Sequence, residues 1–232
     1  MTVFLGIVAL SFIALFVFLW RRQITLRRAE YIRSFELPRG LYDQLRKRRP
    51  TLTFKECHLT SQALRQFFLA YAMSGRQLVS MPSQAADDLW HEFILYTRHY
   101  HDFCQKAFGG FLHHTPAVVL GKGQQGNAGL RRCWWQTCRI ENINPRNPTR
   151  LPLLFALDAK LKIEDGFRYV ADCQSVRRQG DNNSSAMVYC GGDFGDSNID
   201  GGLDGWGDST SDSSSDGGGD SSGCGGGGCS GS

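Results

Sequence analysis

The first apolar stretch of the chain runs from Thr2 to Trp20 without a charged residue. Its length is close to the ~20 residues that a helix needs to cross the hydrocarbon layer of a bilayer. Trp20 closes the stretch, as expected at the membrane interface, where amphipathic aromatic side chains collect. The pattern therefore predicts a transmembrane anchor over residues 1–20.

Two other interpretations of this stretch are weaker. A cleaved signal peptide carries positive charge before its apolar segment and small residues at its cleavage site. Here the apolar segment is followed by the sequence WRRQ, which is a poor cleavage site. A buried core helix rarely lacks polar groups over so long a run. We therefore expect an uncleaved anchor.

Over residues 38–178 the apolar residues recur at helical spacing, and strand patterns are poor. A short helix is predicted to end at Pro50. A second helix takes Thr60 or Ser61 as its N-cap and ends at Gly75. Two more helices are predicted from the sequences GLRRCWWQTCRIEN and LPLLFALDAKLKI. The region is expected to form a compact all-α domain.

A long helix is predicted from Ser83, its N-cap, to the pair Gly109 and Gly110. At 100° per residue its apolar side chains share one face, with Asp87 and His91 on the flank. The segment is therefore interpreted first as a core helix. The predicted apolar stripe consists of Trp90, Phe93, Ile94, Thr97, His101, Cys104 and Phe108.

Charge divides the chain into a basic body and an acidic tail. Residues 181–232 carry nine Asp and no Lys or Arg, a sum of −9. The other 180 residues hold 26 basic and 13 acidic groups, a net +13. The tail, residues 179–232, is rich in Gly, Ser and Asp, and it has too little apolar surface to offset the entropy of ordering. We expect it to be disordered.

Two features of the tail invite a metal-binding interpretation. Its Asp residues recur every three or four positions, but calcium-binding repeats need a regular nonapeptide with an apolar residue in each turn. The closing pair, Cys224 and Cys229, does not have the spacing of a CxxC motif. A solvated acidic linker is therefore the preferred interpretation of the tail.

Residues 21–37 form a basic juxtamembrane segment that opens with Arg21, Arg22, Arg27 and Arg28. By the positive-inside rule, the N-terminus lies outside and the body lies in the cytoplasm, at the inner membrane. Such a cluster attracts anionic lipid head groups, at about 1 kcal/mol per basic residue; a plain stop-transfer flank is the alternative. No nucleic-acid motif accompanies it, so no nucleic-acid partner is expected. Cytosolic cysteines should be reduced.

A possible metal site begins on the flank of the predicted long helix. Asp87 and Asp88 precede His91 by four and three positions, so either carboxylate can hydrogen-bond one imidazole nitrogen of His91 and fix its tautomer. The other nitrogen is then available to a metal, with the carboxylate as its outer support.

The remaining candidate ligands come from the end of that helix and the turn beyond it. A chain that reverses after the glycine pair brings His113 and His114 beside the helix that carries Cys104. His91, His113, His114 and Cys104 are therefore candidate ligands of a divalent metal such as zinc. Simple capping or packing is the alternative, since the spacing does not match HExxH.

No nucleophile, base and orienting group can be assembled from the sequence, so no catalytic residue is assigned. The favoured interpretation is a binding or scaffold module for an unknown protein partner at the inner face of the membrane. The alternative is a metal-binding domain with metal-dependent activity.

The run from MPS to DDLWHEFILYTRHYHDFCQKAFGGFLHHTP resembles the glycine-rich domain-containing protein-like family of bacteria and plants. The resemblance spans roughly residues 38–175 and includes LPLLFALDAKL and GFRY. It implies little about function, because the family is largely uncharacterised. Many members read WHxH, and here the second histidine position is occupied by Phe93. The motif positions are Trp90, His91, Tyr100, Cys104, Gly110, Phe111, His113, His114 and Pro116.

Overall fold

A computed structural model shows a mostly helical chain, which confirms the predicted fold class. It describes residues 2–114, 124–171, 188–191 and 194. The predictions for the tail, including Cys224 and Cys229, lie almost entirely outside these residues. The described helices and strands are α1 Thr2–Ser34, α2 Leu41–Arg48, α3 Phe54–Met73, α4 Gln84–Leu95, α5 Thr97–Phe108, α6 Gln124–Ile140, α7 Leu153–Lys160, β1 Arg168–Val170 and β2 Val188–Cys190.

Helix α1 begins in the apolar stretch and continues without a break through the arginine-rich segment. Side chains of its apolar part are exposed, from Phe4 at 71% to Trp20 at 59%. Farther along, Ala29 and Ile32 are buried, and this end of α1 packs against α3 and α5. Within the described residues, α1 is the one helix long and apolar enough to span a bilayer, a test that a signal sequence also passes.

Helix α3 begins earlier than predicted. Thr60 and Ser61 are wrong as N-caps, because both lie inside the helix and donate hydrogen bonds back to its carbonyls. The cap is Thr53, which accepts from the Glu56 backbone N–H while the Glu56 carboxylate accepts from the Thr53 N–H at 2.8 Å. This reciprocal capping box satisfies two backbone donors that the first turn leaves unpaired. The predicted stop at Gly75 is confirmed by its φ of +65°.

The single long helix predicted from Ser83 is wrong, since it is divided into α4 and α5. Ser83 does cap α4, because its Oγ accepts from the Ala86 N–H at 3.2 Å. Tyr96 interrupts the helix with a ψ of 60°, and the break changes which face of α5 is buried. Thr97 and His101, predicted within the apolar stripe, are exposed. The buried residues of α5 are Tyr100, Phe103, Cys104, Ala107 and Phe108.

Aromatic side chains fill the core between α1, α3, α4 and α5. The ring of Phe68 lies 4.9 Å from that of Phe103 and 6.0 Å, edge-on, from that of Trp90. Phe35, just after α1, lies 4.6 Å from Phe103. Tilted and edge-on ring pairs of this kind add to the stabilisation from apolar burial. The end of α1 is therefore part of the domain core.

A second aromatic cluster joins α6 and α7 to the strands. Trp134 packs edge-on against Phe155 with ring centroids 5.0 Å apart, and Phe155 packs against Tyr169 of β1 at 4.9 Å. Strands β1 and β2 are parallel, with Tyr169 opposite Tyr189. This pair of three-residue strands was absent from the predicted elements, because neither segment is long enough to show an alternating pattern.

The cysteines of the described regions have two states. Cys57, Cys104, Cys133 and Cys138 are free and buried, and they pack as small apolar side chains. Cys190 is disulfide-bonded. The expectation that every cysteine is reduced does not hold at this position.

Candidate functional site

Three polar side chains, Asp87, His91 and His114, converge beside the first two turns of α4. One ligand atom from each lies within 4.8 Å of the other two. His114 Nε2 is 2.9 Å from Asp87 Oδ1, and His91 Nδ1 is 3.3 Å from Asp87 Oδ2. The two imidazole rings are 4.2 Å apart between centroids. Two imidazoles and a carboxylate form a donor set that suits zinc and related divalent metals.

Helix α4 supplies Asp87 and His91 from successive turns, and a buried carboxylate fixes the start of that helix. Asp158 accepts hydrogen bonds from the Ser83 hydroxyl at 2.6 Å and from the backbone N–H groups of Gln84 and Ala85 at 2.7 and 3.1 Å. A carboxylate at a helix N-terminus also interacts favourably with the helix dipole. The first turn of α4 is thus held rigidly just before Asp87.

His114 reaches α4 from the segment after α5, and a short hydrogen-bond chain holds that segment in place. Trp90 Nε1 donates to the Tyr100 hydroxyl at 3.2 Å, and this hydroxyl donates to the Leu112 carbonyl at 2.5 Å. The His114 ring then packs on Trp90 with ring centroids 4.5 Å apart. Buried hydrogen bonds of this kind define a single arrangement of the chain.

The hydrogen bonds at the cluster leave a nitrogen of His91 available. His91 Nδ1 lies 2.8 Å from the Asp87 backbone carbonyl, and only a protonated nitrogen can donate to that oxygen. In the tautomer that carries its proton on Nδ1, Nε2 is the nitrogen that can accept a hydrogen bond or bind a metal; in the other tautomer, Nδ1 is the nitrogen beside Asp87 Oδ2. The His91 side chain is 41% exposed, against 21% for Asp87 and 13% for His114. The cluster is thus built on a packed base and is open to solvent on the His91 side.

The other predicted ligands and supports lie elsewhere. His113 is exposed and packs edge-on against Phe111 at 4.8 Å. Cys104 is fully buried, and burial raises the pKa of its thiol, which opposes the thiolate form that binds metals. Asp88 forms an ion pair with Arg49 at 2.7 Å. Of the six residues predicted for the site, the structure brings together Asp87, His91 and His114.

The predicted membrane-surface residues all lie on α1. Arg21, Arg22 and Arg27 are exposed, and Arg28 is half-buried. Arg28 approaches the end of α5, where a side chain at Gly109 would collide with its guanidinium. Arg76, which no sequence pattern connects with this segment, lines one cavity together with Arg21 and Arg28.

The sequence also gave no indication of Asp158 or of the Tyr100 hydroxyl. The partners of Asp158 at the start of α4 lie 73 to 75 positions away along the chain, so no local pattern marks it. Tyr100 appeared as a motif position, but the bond from Trp90 to its hydroxyl depends on the break at Tyr96. Asp87, predicted as an outer support, has a carboxylate oxygen 2.9 Å from His114 Nε2, among the candidate ligand atoms.

These features define a class of protein: a helical domain with an Asp-His-His cluster, joined to a long apolar helix. The chain belongs to the UCP032817-like family, whose model matches residues 27–194. That match covers the helical domain and begins after the apolar stretch. The family is uncharacterised, and its name differs from that of the glycine-rich domain-containing protein-like family that the motif resembles. No curated protein and no solved structure matches the chain.

Phe93 occupies the position where many sequences of the resembled family carry a second histidine. The side chain is fully buried, and its ring packs against Tyr100 and Phe103 at 5.2 and 5.5 Å. Two positions along a helix correspond to a turn of about 200°. A side chain at position 93 therefore points into the core, away from His91, so the Asp87 cluster does not lack a ligand because of Phe93.

Proposed function

We propose that this protein is a single-pass membrane protein whose cytosolic helical domain binds a divalent transition metal such as zinc through Asp87, His91 and His114. The observation that carries the proposal is the convergence of the three ligand atoms within 4.8 Å. Binding through side chains from α4 and from the segment after α5 also ties these two parts of the chain together.

The spacing of the cluster supports a tetrahedral metal. Zinc binds imidazole nitrogen and carboxylate oxygen at about 2.0–2.2 Å, so two ligands of a tetrahedral ion lie about 3.3 Å apart. The His114 Nε2 to Asp87 Oδ1 distance is 2.9 Å. An ion can replace the hydrogen bond between these atoms after they separate by a few tenths of an ångström. The metal-free arrangement is therefore close to the arrangement required for binding.

Three protein ligands leave one position of a tetrahedral ion for water or another small ligand. The 41% exposure of the His91 side chain supports a fourth position that is open to solvent. Structural zinc sites usually take four protein ligands, whereas sites that handle a water or a substrate take three. The donor count thus favours a site that exchanges its fourth ligand over a purely structural one.

The apolar half of α1 supports the anchor. Large apolar side chains along it are 38–71% exposed. Full exposure of one such side chain costs about 1.5–3 kcal/mol relative to full burial, and partial exposure costs a corresponding share of this. The same helix continues into the domain core at Ala29 and Ile32. A bilayer covers the apolar surface and leaves the continuous helix intact.

Two observations point to opposite orientations of the chain in the membrane. Arg21, Arg22, Arg27 and Arg28 follow the apolar stretch and favour a cytosolic domain. The disulfide at Cys190 opposes this, because disulfides are rare in the cytosol. The proposed orientation follows the four charges, because they act directly on insertion. A protease added to spheroplasts should leave the domain intact and cut it only after lysis. Cleavage before lysis would show that the domain lies outside the cytosol.

The metal proposal is tested by elemental analysis of the full chain, purified in mild detergent and dialysed against trace zinc. About one zinc per chain is expected for the unmodified protein. The zinc content should fall at least tenfold in His91→Gln and in Asp87→Asn, because each substitution removes one of the three ligands. His113→Gln is the matched control, since it removes the adjacent imidazole, which lies outside the cluster.

Fewer than about 0.1 zinc per chain in the folded, unmodified protein would overturn the metal proposal. That result would favour the scaffold interpretation, in which the cluster only holds the segment after α5 on α4. Equal zinc loss in His113→Gln and His91→Gln would also overturn the proposed ligand set, because the first residue does not reach the cluster.

A further inference from the structure

A cavity of about 430 Å³ lies where α1 leaves its apolar stretch, within the range of small-ligand sites. One wall is α1 itself, which contributes Arg21, Thr25 and Arg28. The other walls are the C-terminal ends of α3 and α5 and the residues Gly75 and Arg76, which follow α3. Three guanidinium groups from two separate parts of the chain therefore face one cavity.

The charge of this cavity is unbalanced. Among the residues that the structure describes, Arg21, Arg28 and Arg76 form no ion pair with a carboxylate. The ends of α3 and α5 each contribute roughly −0.5 charge from their unpaired carbonyls. Three full positive charges against these two partial charges leave a net of about +2, which attracts an anion.

The guanidinium groups have donors to spare. Arg76 Nη1 donates to the Phe108 carbonyl at 3.3 Å, and the Arg28 guanidinium lies against Gly109. Each guanidinium carries five N–H donors in a fork that suits phosphate oxygens. One bond to a backbone carbonyl therefore positions Arg76 and leaves most of its donors free.

The cavity also lies at the right height for a lipid head group. Arg21 directly follows Trp20, and Arg28 is about 10 Å farther along a helix that rises 1.5 Å per residue. The head-group layer extends roughly 5–8 Å beyond the hydrocarbon on each side. Side chains of a helix lean toward its N-terminus, which here is the membrane. The guanidinium of Arg28 thus leans back toward the phosphate level.

We propose that this cavity, formed by Arg21, Arg28 and Arg76, binds the phosphate of one anionic phospholipid. The inference rests on the membrane anchor of the proposed function and is independent of the metal site. It goes beyond a general attraction of basic residues to the membrane surface, because it requires Arg76, which lies far from the juxtamembrane segment in sequence.

The chain offers a matched control for this inference. Arg22 and Arg27 stand beside the membrane on the same helix, and neither lines the cavity. At 100° per residue, Arg28 returns to within about 20° of Arg21, whereas Arg22 and Arg27 lie at least 100° away. Removing the control pair changes the net charge by the same amount as removing two cavity arginines.

The test uses the full chain in nanodiscs of phosphatidylcholine with a minor share of phosphatidylglycerol, and it counts retained lipid by native mass spectrometry. The unmodified protein and the variant R22Q/R27Q should each retain one phosphatidylglycerol. R28Q/R76Q should retain at least about fivefold less. R21Q/R76Q should show the same reduction in retained phosphatidylglycerol. Because this variant keeps the half-buried Arg28, its result does not depend on any effect that removing Arg28 has on folding.

Three results would overturn the inference. Equal retention in the cavity variants and the control variant shows that only surface charge attracts the lipid. Retention of added inorganic phosphate in phosphatidylcholine nanodiscs, at the occupancy seen for phosphatidylglycerol, shows that the ligand is a soluble phosphate. Failure of the chain to insert into nanodiscs would contradict both the membrane anchor and the lipid ligand. Insertion with equal phosphatidylglycerol retention in all variants would contradict the lipid site alone.

Discussion

The substitution Tyr100→Phe tests how His114 is held against α4. It removes the hydroxyl that accepts from Trp90 Nε1 at 3.2 Å and donates to the Leu112 carbonyl at 2.5 Å. Trp90 and Leu112 are 3% and 7% exposed, so water does not readily replace the lost partner. Each buried polar group that is left without a hydrogen-bond partner costs about 1–3 kcal/mol. For the two groups we expect a loss of about 2–6 kcal/mol in the free energy of unfolding.

This loss is measurable against the total stability of about 5–15 kcal/mol that is usual for a folded domain. The assay is urea unfolding of the full chain in mild detergent, followed by tryptophan fluorescence, with and without zinc. Because Leu112 lies two residues before His114, we also expect zinc affinity to fall roughly tenfold, the lower end of the effect of supporting residues in metal sites.

The control is Tyr71→Phe. Tyr71 is partly buried and packs edge-on against Phe108 at 5.0 Å, and its hydroxyl has no hydrogen-bond partner within the described residues. Its removal should change stability by less than about 0.5 kcal/mol. If Tyr100→Phe were as stable and bound zinc as tightly as Tyr71→Phe, the hydrogen-bond chain would have no role in placing His114.

Other predictions concern the rest of the fold. Asp158→Asn should lower the unfolding free energy by about 2–4 kcal/mol, because the carboxylate accepts three hydrogen bonds at the start of α4; an unchanged urea midpoint would contradict this. Burial opposes ionisation of Glu141, but hydrogen bonds from Leu153 and other groups hold its pKa below the ordinary value. A lowered pKa stabilises the fold above the unfolded pKa, and this contribution is lost as pH falls through the folded pKa; Glu141→Gln should flatten the decline of stability measured below about pH 5. Burial raises the pKa of Cys138 to about 12 and that of Cys133 above its ordinary value, so both thiols should react with a disulfide reagent only as fast as the chain unfolds, and rapid modification of the native protein would be the opposite result.

Local patterns predicted much of the fold. The helical class, the break before Pro50, the stop at Gly75 and the cap at Ser83 all depend on residues within a turn of the feature they define. The start of α3 was misplaced because several Thr and Ser residues can cap a helix, and the choice of Thr53 depends on its pairing with Glu56.

The candidate site was less predictable, because it depends on tertiary contacts. A single residue, Tyr96, leaves the helical conformation and changes the buried face of α5, which removes His101 from the core. After that turn, the Leu112 carbonyl is held by Tyr100, and this selects His114 over His113 as the neighbour of Asp87. None of these contacts leaves a periodic signal in the sequence.

The most direct test of the proposed metal site is X-ray absorption at the zinc edge of the full, zinc-loaded chain. Asp87, His91 and His114 with one solvent ligand predict a first shell of nitrogen and oxygen atoms at about 2.0–2.2 Å. No sulfur is expected, since Cys104 is buried apart from the cluster. A sulfur neighbour at about 2.3 Å would show that cysteine binds the metal and would contradict the assignment.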